Sequence, residues 1–305
     1  FVNAIDQNIY WCSLLDGFTA ITQLTAGNEN VRYADVTWDS GRENLIGVRE
    51  THDAGSEPVN QLVAIDCRTG AVDVVHSGHD FYSSPRLSSD AERLAFLVWD
   101  HPNMPWDGNQ LFVATLDTTG RIVTETLVAG GVAESVFQPE WLTPERLVFV
   151  SDASGYWNFY SYDSSGIYCL NEDAADYGTA QWAFGIRTYI PISDRVLVAN
   201  RIDKGVAALV FVDVDNGMVT PLEDRFSSFA SLNRTATGIA FVAGKPDDLN
   251  AVVRMDLTTT EITRVASQGT LDIDRDYFSF LEQLVYENAD GLETFANFYP
   301  PRHPL

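Results

Sequence analysis

The segment 100–109, DHPNMPWDGN, is the best candidate for function in the sequence. It supplies the imidazole of His101, the amide of Asn103, the indole of Trp106 and the carboxylate of Asp107. Its two prolines restrict the backbone, which lowers the entropy lost when the loop is ordered. Long loops on a rigid scaffold usually carry binding groups, so we predict that these residues contact a substrate or a neighbouring domain. The alternative is a loop packed on itself, in which the indole closes the edge of a sheet.

Sequence motifs that carry catalytic nucleophiles or phosphate sites do not occur in the chain. We find no G-x-S-x-G, no H-E-x-x-H, no G-x-x-x-x-G-K-[ST] and no G-x-G-x-x-G. The Ser-Gly pair in DASGYWNFY (152–160) has no flanking glycine and no following helical pattern, so it indicates a hairpin turn before a packed strand. No catalytic residue is therefore predicted in these 305 residues.

The elements that must position the loop are short strands in a recurring order. An apolar strand, an Asp and a Gly- or Thr-rich turn return about every 45 to 50 residues, at 10–17, 62–70, 111–120, 159–166, 209–217 and 252–260. Each copy has two further strands before it, and most have a fourth after it, which is the four-stranded antiparallel blade of a β-propeller. We therefore predict an all-β fold, a β-propeller whose faces are covered because neighbouring blades stack on one another.

The repeat boundaries predict about five complete blades; the partial repeats at the two ends either complete a sixth blade together or belong to a longer protein. Whole repeats lie at 31–78, 79–131, 132–178, 179–225 and 226–268. Residues 1–28 hold only the later strands of another repeat, and residues 269–300 hold one hairpin. Four large aromatic side chains are expected to fill the wedges between blades: Trp38, Trp141, Phe149 and Tyr160.

A second group of candidate residues depends on this architecture. The segments ESVFQPEW (134–141) and GTAQWAFG (178–185) each carry a glutamine followed by a tryptophan, and we predict that each forms the first strand of a repeat. Because the first strand of a propeller blade lines the central channel, four polar side chains are expected to face a polar tunnel: Glu134, Gln138, Gln181 and Arg187. The alternative is that these side chains only hold water in the channel.

The histidines and cysteines give no spacing typical of a metal site. His52, His79 and His101 fall in or beside loops of neighbouring repeats and could meet in space, but they are expected to be ordinary hydrogen-bonded histidines. The three cysteines form no CxxC pair and indicate reduced, mostly buried thiols in a cytoplasmic protein; they are Cys12, Cys67 and Cys169. No metal and no cofactor are predicted.

The charge balance restricts the class of partner. The chain has 43 acidic and 19 basic residues, which gives a formal net charge of −24. Such a surface repels phosphate backbones, so nucleic acid and anionic membranes are not expected as partners. The excess of carboxylates indicates solubility or a salty habitat, or alternatively a field that attracts cationic substrates.

Several segments together resemble a known family. The stretch 77–116, the strand ESVFQPEW, the segment FVSDASGYWNFY and the closing FANFYPPRHP are similar to the bacterial acylaminoacyl-peptidase/dipeptidyl-aminopeptidase branch of the prolyl oligopeptidase family. The resemblance implies a parent protein with an N-terminal propeller of six to seven blades, followed by a C-terminal α/β-hydrolase domain that carries a Ser, Asp and His triad. No position of this chain matches that triad, so the resemblance transfers no catalytic residue.

The resemblance gives the leading functional hypothesis. Residues 1–290 would be an N-terminally incomplete propeller, and residues 291–305 a linker toward the absent hydrolase domain. The propeller would gate a serine exopeptidase that acts on short peptides, and would have no peptidase activity by itself. One alternative is a stand-alone propeller that binds a ligand or a protein without enzymatic activity. Another is a metal-dependent propeller lyase, which would need a metal on His52, His79 or His101.

Overall fold

The computed structural model describes residues 1–15, 17, 19–27, 29–223 and 225–303. These residues form short β-strands joined by turns and loops, with a single 3₁₀ turn at Arg275–Tyr277. Strands form here because short runs rich in β-branched and aromatic residues are bounded by clusters of Gly, Asp, Asn and Ser. Within the described ranges, no helix is long and apolar enough to cross a membrane.

Two of the sheets contain only two strands each. The first pairs β1 (Tyr10–Cys12) with β2 (Ile21–Gln23). The last pairs β23 (Glu282–Glu287) with β24 (Glu293–Phe298). Both pairs are antiparallel, and the second is the hairpin that the sequence predicted within residues 269–300.

Between these hairpins lie five four-stranded sheets, and in each sheet the strands lie side by side in sequence order. Blade 1 contains β3 (Val31–Asp39), β4 (Asn44–Thr51), β5 (Val59–Asp66) and β6 (Val72–His76). Blade 2 contains β7 (Phe81–Leu87), β8 (Arg93–Trp99), β9 (Gln110–Leu116) and β10 (Ile122–Gly130). Blade 3 contains β11 (Val136–Trp141), β12 (Leu147–Ser151), β13 (Asn158–Asp163) and β14 (Gly166–Cys169).

The remaining two blades complete the series. Blade 4 contains β15 (Tyr189–Pro191), β16 (Val196–Asp203), β17 (Val206–Asp213) and β18 (Val219–Glu223). Blade 5 contains β19 (Ser228–Arg234), β20 (Gly238–Lys245), β21 (Asp248–Asp256) and β22 (Ile262–Ser267). Every blade falls inside one of the predicted repeats, so the predicted all-β propeller fold with four-stranded blades is confirmed.

The chain divides into two compact units. Unit 1 contains Phe1–Ala153, Tyr160–Tyr168 and Ala180–Gly185. Unit 2 contains Ser154–Phe159, Cys169–Thr179 and the chain from Ile186 onward. The division falls within β13 and β14 of blade 3.

The core of unit 1 lies between the faces of its blades. All five residues from Leu94 to Val98 in β8 are fully buried, because both faces of this strand are covered. One cluster joins Leu62 of blade 1 to Phe96 of blade 2, and another joins Leu97 of blade 2 to Phe149 of blade 3. Stacked blades thus bury apolar surface that a lone four-stranded sheet would expose.

Three of the four aromatic residues predicted for the wedges do pack in the core, and the fourth does not. Phe149 is fully buried, and Trp141 and Tyr160 pack partly buried against the same cluster. Trp38 is 52% exposed, so its predicted burial is wrong. Its neighbour is the hairpin of β1 and β2, whose strands of three residues are too short to cover it, and a cleft of about 590 Å³ remains beside the indole.

Unit 2 has its own apolar core. The cluster joins Val198 and Leu209 of blade 4 to Phe241, Val253 and Met255 of blade 5. Phe226, Phe229 and Phe241 form an aromatic group with ring centroids 5.6–6.0 Å apart. Each unit therefore has the buried apolar contacts that stabilise a stack of sheets.

The recurring Asp of the sequence signature closes the hairpin between the third and fourth strands. In blade 1, Oδ1 of Asp66 accepts hydrogen bonds from the backbone N–H groups of Arg68 and Thr69. Equivalent bonds are made by Asp117, Asp163, Asp213 and Asp256, which explains why the turn repeats in the sequence. The corresponding residue of the first signature, Asp16, lies outside the described residues.

Candidate functional site

The long loop between β8 and β9 lies at one end of blade 2. The backbone N–H and Nδ1 of His101 both contact Oδ2 of Asp80, each at 2.9 Å. Backbone and side-chain hydrogen bonds from His101 lower the pKa of the Asp80 carboxyl. The ring of His101 lies 5.0 Å from the ring of Phe81, while its side chain is 60% exposed. Asp80 thus anchors the first residues of the loop, and the imidazole of His101 remains accessible to solvent.

Backbone contacts hold the rest of the loop in place. Nδ2 of Asn103 donates to the carbonyl of Val132 at 2.9 Å, and Oδ2 of Asp107 accepts from the N–H of Met104 at 3.1 Å. Oγ of Ser135 donates to the carbonyl of Pro105 at 2.6 Å. Asn103 and Asp107 therefore fix the loop conformation, and the loop is joined to the segment before β11.

Trp106 contacts another tryptophan far away in the sequence. Its ring centroid lies 4.2 Å from that of Trp182, with the two planes tilted by 41°. Trp106 is half-buried, whereas Trp182 is 74% exposed. Met104 and Val132 in the same region are exposed as well. The two indoles and these side chains form an exposed apolar surface, which can bind an aromatic or aliphatic group.

Two carboxylates lie at the start of blade 3, beside the loop. Oγ of Ser151 donates to Oε1 of Glu134 at 2.7 Å, and the backbone N–H of Ser135 donates to Oδ1 of Asp152 at 2.8 Å. Burial raises the pKa of the Asp152 carboxyl, and the negative charge of Glu134 adds to the effect. Sequence reasoning identified Glu134 but missed Asp152, which follows β12 directly and pairs with Ser135, the neighbour of Glu134.

Gln138 lies on the first strand of blade 3, as predicted, at a β-bulge. Its backbone has φ of +49°, its side chain is buried, and Nε2 contacts Oε1 of Glu140 at 3.4 Å. The register of β11 against β12 shifts between Phe137 and Glu140. A bulge re-aims the side chains of a strand, and here it brings Gln138 and Glu140 together.

The sequence analysis missed three charged residues that lie close together on the first strands of blades 1 to 3: Asp35, Arg86 and Glu140. The guanidinium of Arg86 lies 3.8 Å from the carboxylate of Asp35 and 3.7 Å from that of Glu140, and all three side chains are largely buried. Nε1 of Trp141 donates to the carbonyl of Arg86 at 2.9 Å. The contacts of Arg86 join residues 51 to 55 positions apart in sequence, so only the repeat length could have indicated that they meet.

Gln181 and Arg187 are not on a strand, which corrects the prediction for residues 178–185. The first strand of blade 4 is only Tyr189–Pro191, and residues 180–188 have no strand pairing. Oε1 of Gln181 is buried and accepts no hydrogen bond from the described residues. Gln181 belongs to unit 1, and Arg187 belongs to unit 2. The prediction failed because a glutamine followed by a tryptophan, the pattern that this segment shares with ESVFQPEW, does not by itself require strand pairing.

The three histidines that could have met at a metal site each contact a different carboxylate instead. Nε2 of His52 contacts Glu50 at 2.7 Å, and Nδ1 of His79 contacts Asp100 at 2.8 Å. Across the described part of the chain, no group of three His, Cys, Asp or Glu side chains could hold a metal ion. The three cysteines are free thiols of intermediate exposure.

The structure thus gathers most, but not all, of the candidate residues in unit 1. His101, Asn103, Trp106 and Asp107 share the long loop, which Ser135 joins to the segment that carries Glu134. Gln181 precedes Trp182, which contacts the loop. Gln138 lies on β11, the first strand of blade 3, and contacts Glu140. Glu140 in turn lies near Arg86, which also lies near Asp35, and these two residues are on the first strands of blades 2 and 1.

Solved structures that are similar to this chain include peptidases. A puromycin-hydrolyzing peptidase from Mycobacterium tuberculosis is 28% identical over 100% of this chain, with a TM-score of 0.89, and the match covers 48% of that peptidase. A puromycin hydrolase is 25% identical over 100% of this chain, with a TM-score of 0.87, and is likewise covered to 48%. The chain therefore spans about half the length of these structures.

A more distant structure agrees on the fold. Prolyl oligopeptidase B from Galerina marginata is 14% identical over 93% of this chain, with a TM-score of 0.67. The sequence matches no protein-family model and no curated protein. The five four-stranded blades and these structural matches show that the chain has the β-propeller fold, and that it is similar over its whole length to about half of each puromycin-hydrolyzing peptidase.

Proposed function

We propose that the chain is the non-catalytic, substrate-filtering propeller of a serine exopeptidase that acts on short peptides. The observation that carries the proposal is the match over the whole chain to two peptidases named for hydrolysis of puromycin. The sequence contains no nucleophile motif, and we assign hydrolysis to a partner domain for that reason. The proposed partner is a C-terminal α/β-hydrolase domain, and the proposed activity is of the acylaminoacyl-peptidase or aminopeptidase type.

The domain boundaries follow from the same proposal. We propose residues 1–290 as the propeller and residues 291–305 as the connection toward the hydrolase domain; the first part of that connection, Glu293–Phe298, is the strand β24 of the last hairpin. The three free thiols are compatible with action in the reducing cytoplasm. No nucleic acid or membrane partner is proposed, because the net charge of −24 disfavours anionic surfaces.

The physical basis of filtering is a rigid scaffold that carries a selective surface. The blades are joined by buried apolar clusters, so they resist the local opening that a folded protein substrate would require. The exposed surface of Trp106, Trp182 and Met104 would contact either the peptide or the hydrolase domain. The excess of carboxylates would favour substrates with a free amine.

The test compares the chain alone with the chain joined to a hydrolase domain of the puromycin hydrolase type. We expect no hydrolysis of aminoacyl anilides by the chain alone. We expect the joined protein to cleave short peptides and to leave intact a folded protein that contains the same peptide sequences. Triad-type turnover by the chain alone, or equal cleavage of short and folded substrates by the joined protein, would contradict the proposal.

A further inference from the structure

A cavity of about 250 Å³ in unit 1 has walls made largely of aromatic rings. Tyr33 and Tyr82 contribute buried walls, Phe81 and Trp99 stack at 5.3 Å, and Phe184 forms an exposed edge. Phe184 belongs to the same segment as Trp182, which rests on Trp106 of the long loop. The cavity is therefore a built feature, because elements from blade 1, blade 2 and residues 180–185 all contribute to it.

Two polar side chains of the cavity lining, Glu50 and Asn60, each have one oxygen that is not engaged by the described residues. The contacts of Glu50 with His52 at 2.7 Å and with Arg32 at 3.9 Å both involve Oε2. Nδ2 of Asn60 donates to the carbonyl of Asp80 at 2.7 Å. Neither Oε1 of Glu50 nor Oδ1 of Asn60 accepts a hydrogen bond from the described residues. A ligand that carries hydrogen-bond donors would satisfy both oxygens.

Glu50 and Arg32 are the charged side chains that line the cavity, and the aromatic rings around them present faces that attract a cation. Aromatic faces attract cations through their quadrupole, and the Glu50 carboxylate adds a full negative charge. Arg32 also lines the cavity, but its side chain is 51% exposed and lies 3.9 Å from Glu50, so it neutralises that carboxylate weakly. The chain as a whole carries a net charge of −24, which concentrates cations near its surface.

We propose that this cavity binds a small primary amine that carries an aromatic group. Its volume of about 250 Å³ lies below the roughly 300–1,000 Å³ typical of sites for drug-sized ligands, so the ligand is small. The ring of the ligand packs among Tyr33, Phe81 and Trp99, and its ammonium group donates to Glu50 and Asn60. This site is separate from the proposed peptidase function, and it can bind its ligand whether or not that function is correct.

The test uses the 305-residue chain and isothermal titration calorimetry with two probes. Phenethylamine carries the proposed ammonium group, and 2-phenylethanol is its neutral counterpart of nearly the same shape. We expect the amine to bind at least roughly tenfold more tightly than the alcohol, because hydrogen bonds to charged groups are the stronger class. Equal affinity for the two probes, or no binding of the amine at millimolar concentration, would overturn the proposal.

Two variants locate the site, and one serves as a control. Glu50→Gln should remove the preference for the amine, and Phe184→Ala should weaken binding of both probes several-fold, because it removes one wall. Phe184 is exposed on a segment without strand pairing, so this variant is expected to fold. Glu57→Gln removes the same charge from an exposed position outside the cavity and should bind like the unchanged chain. If Glu57→Gln weakens amine binding as much as Glu50→Gln, the attraction is a general effect of charge and the site is refuted.

Discussion

Trp106 shows how a loop side chain can be placed for contact without supporting the fold. The loop is held by hydrogen bonds of Asn103, Asp107 and Ser135, all of which involve backbone groups. The indole of Trp106 contributes mainly its contact with Trp182, whose own side chain is 74% exposed. Trp141, by contrast, packs against a buried cluster and donates Nε1 to the carbonyl of Arg86. These two tryptophans should therefore respond differently to truncation.

Trp106→Ala is expected to lower the free energy of unfolding by only about 1 kcal/mol, the typical contribution of an aromatic pair. Trp141→Ala is the matched control and should cost about 3–5 kcal/mol, since it leaves a cavity and an unpaired carbonyl. Urea unfolding followed by circular dichroism measures both. If the two variants lose equal stability, Trp106 is a structural residue and its proposed role in contact is wrong.

Asp152 gives a prediction on pH. Burial and the charge of Glu134 raise the pKa of its carboxyl in the folded chain above the unfolded value. The stability that this group contributes is therefore fully present below the unfolded pKa of about 3.9 and is lost as the pH rises through the folded pKa. The ionised carboxylate accordingly destabilises the fold near neutral pH.

Asp152→Asn should raise the melting temperature near about pH 7, and the gain should vanish near about pH 3. The amide oxygen can still accept the hydrogen bond from the N–H of Ser135, so the change removes mainly the charge. Thermal melts at the two pH values measure the effect. Asp194→Asn removes a charge from an exposed turn and serves as the control. A gain that is the same at both pH values would show that ionisation is not the cause.

At the scale of the elements, Arg42 joins the turns of neighbouring blades. It lies in the turn between β3 and β4, and it donates to the carbonyls of Ala91 and Asp117 in blade 2 at 2.8–3.1 Å. Its Nη1 also lies 2.8 Å from Oδ2 of Asp39, a side chain that is almost fully buried. One arginine thus pairs a buried carboxylate in blade 1 and caps two turns of blade 2.

Arg42→Ala is expected to lower the free energy of unfolding by about 3–5 kcal/mol, because it leaves the Asp39 carboxylate buried without its partner. Arg68→Ala is the matched control, since Arg68 is 70% exposed and its ion pairs are 3.6–3.8 Å long. That variant should change stability by less than about 1 kcal/mol. Denaturant unfolding of both variants decides the matter, and similar losses would mean that Arg42 does not act as a link between blades.

The strands and their turns could be predicted from the sequence because their signals are local. The Asp that closes each hairpin bonds to backbone groups two or three residues away, so Asp66 and Asp117 leave a repeated mark in the sequence. The buried strand β8 is visible as the apolar run RLAFLVW. Exposure at the edge of a unit is not a local property, which is why the burial of Trp38 was predicted wrongly.

The candidate site could be predicted only in part, because many of its contacts join distant residues. The loop was found from its composition, but the pairing of Trp106 with Trp182 spans 76 positions and has no periodic signal. Gln181 was assigned to a strand because of a pattern that Gln138 shares, yet only Gln138 lies in a paired strand. Arg86 meets Asp35 and Glu140 through the stacking of three blades. Such contacts depend on how sheets pack, and a residue pattern does not encode that directly.

At the scale of the whole molecule, the dominant physical feature is uncompensated negative charge. With 43 acidic and 19 basic residues, many carboxylates have no cation to pair with, even if every basic side chain forms an ion pair. Like charges on a compact surface repel one another and destabilise the folded state. Added salt screens this repulsion, with a screening length of about 10 Å at 0.1 M and about 3 Å at 1 M.

The melting temperature is therefore expected to rise with sodium chloride between about 0.01 M and 1 M near neutral pH, because screening of repulsion outweighs the weakening of exposed ion pairs. Arg195 with Asp215 and Arg264 with Asp248 are exposed ion pairs. Such pairs add little to the free energy of unfolding, so their screening by salt costs little stability. Near about pH 4 many of the carboxyl groups are protonated, so the same salt series should give a smaller rise. Scanning calorimetry at both pH values provides the measurement. A fall in melting temperature with salt near neutral pH would show that ion pairs, rather than repulsion, dominate the electrostatics of this chain.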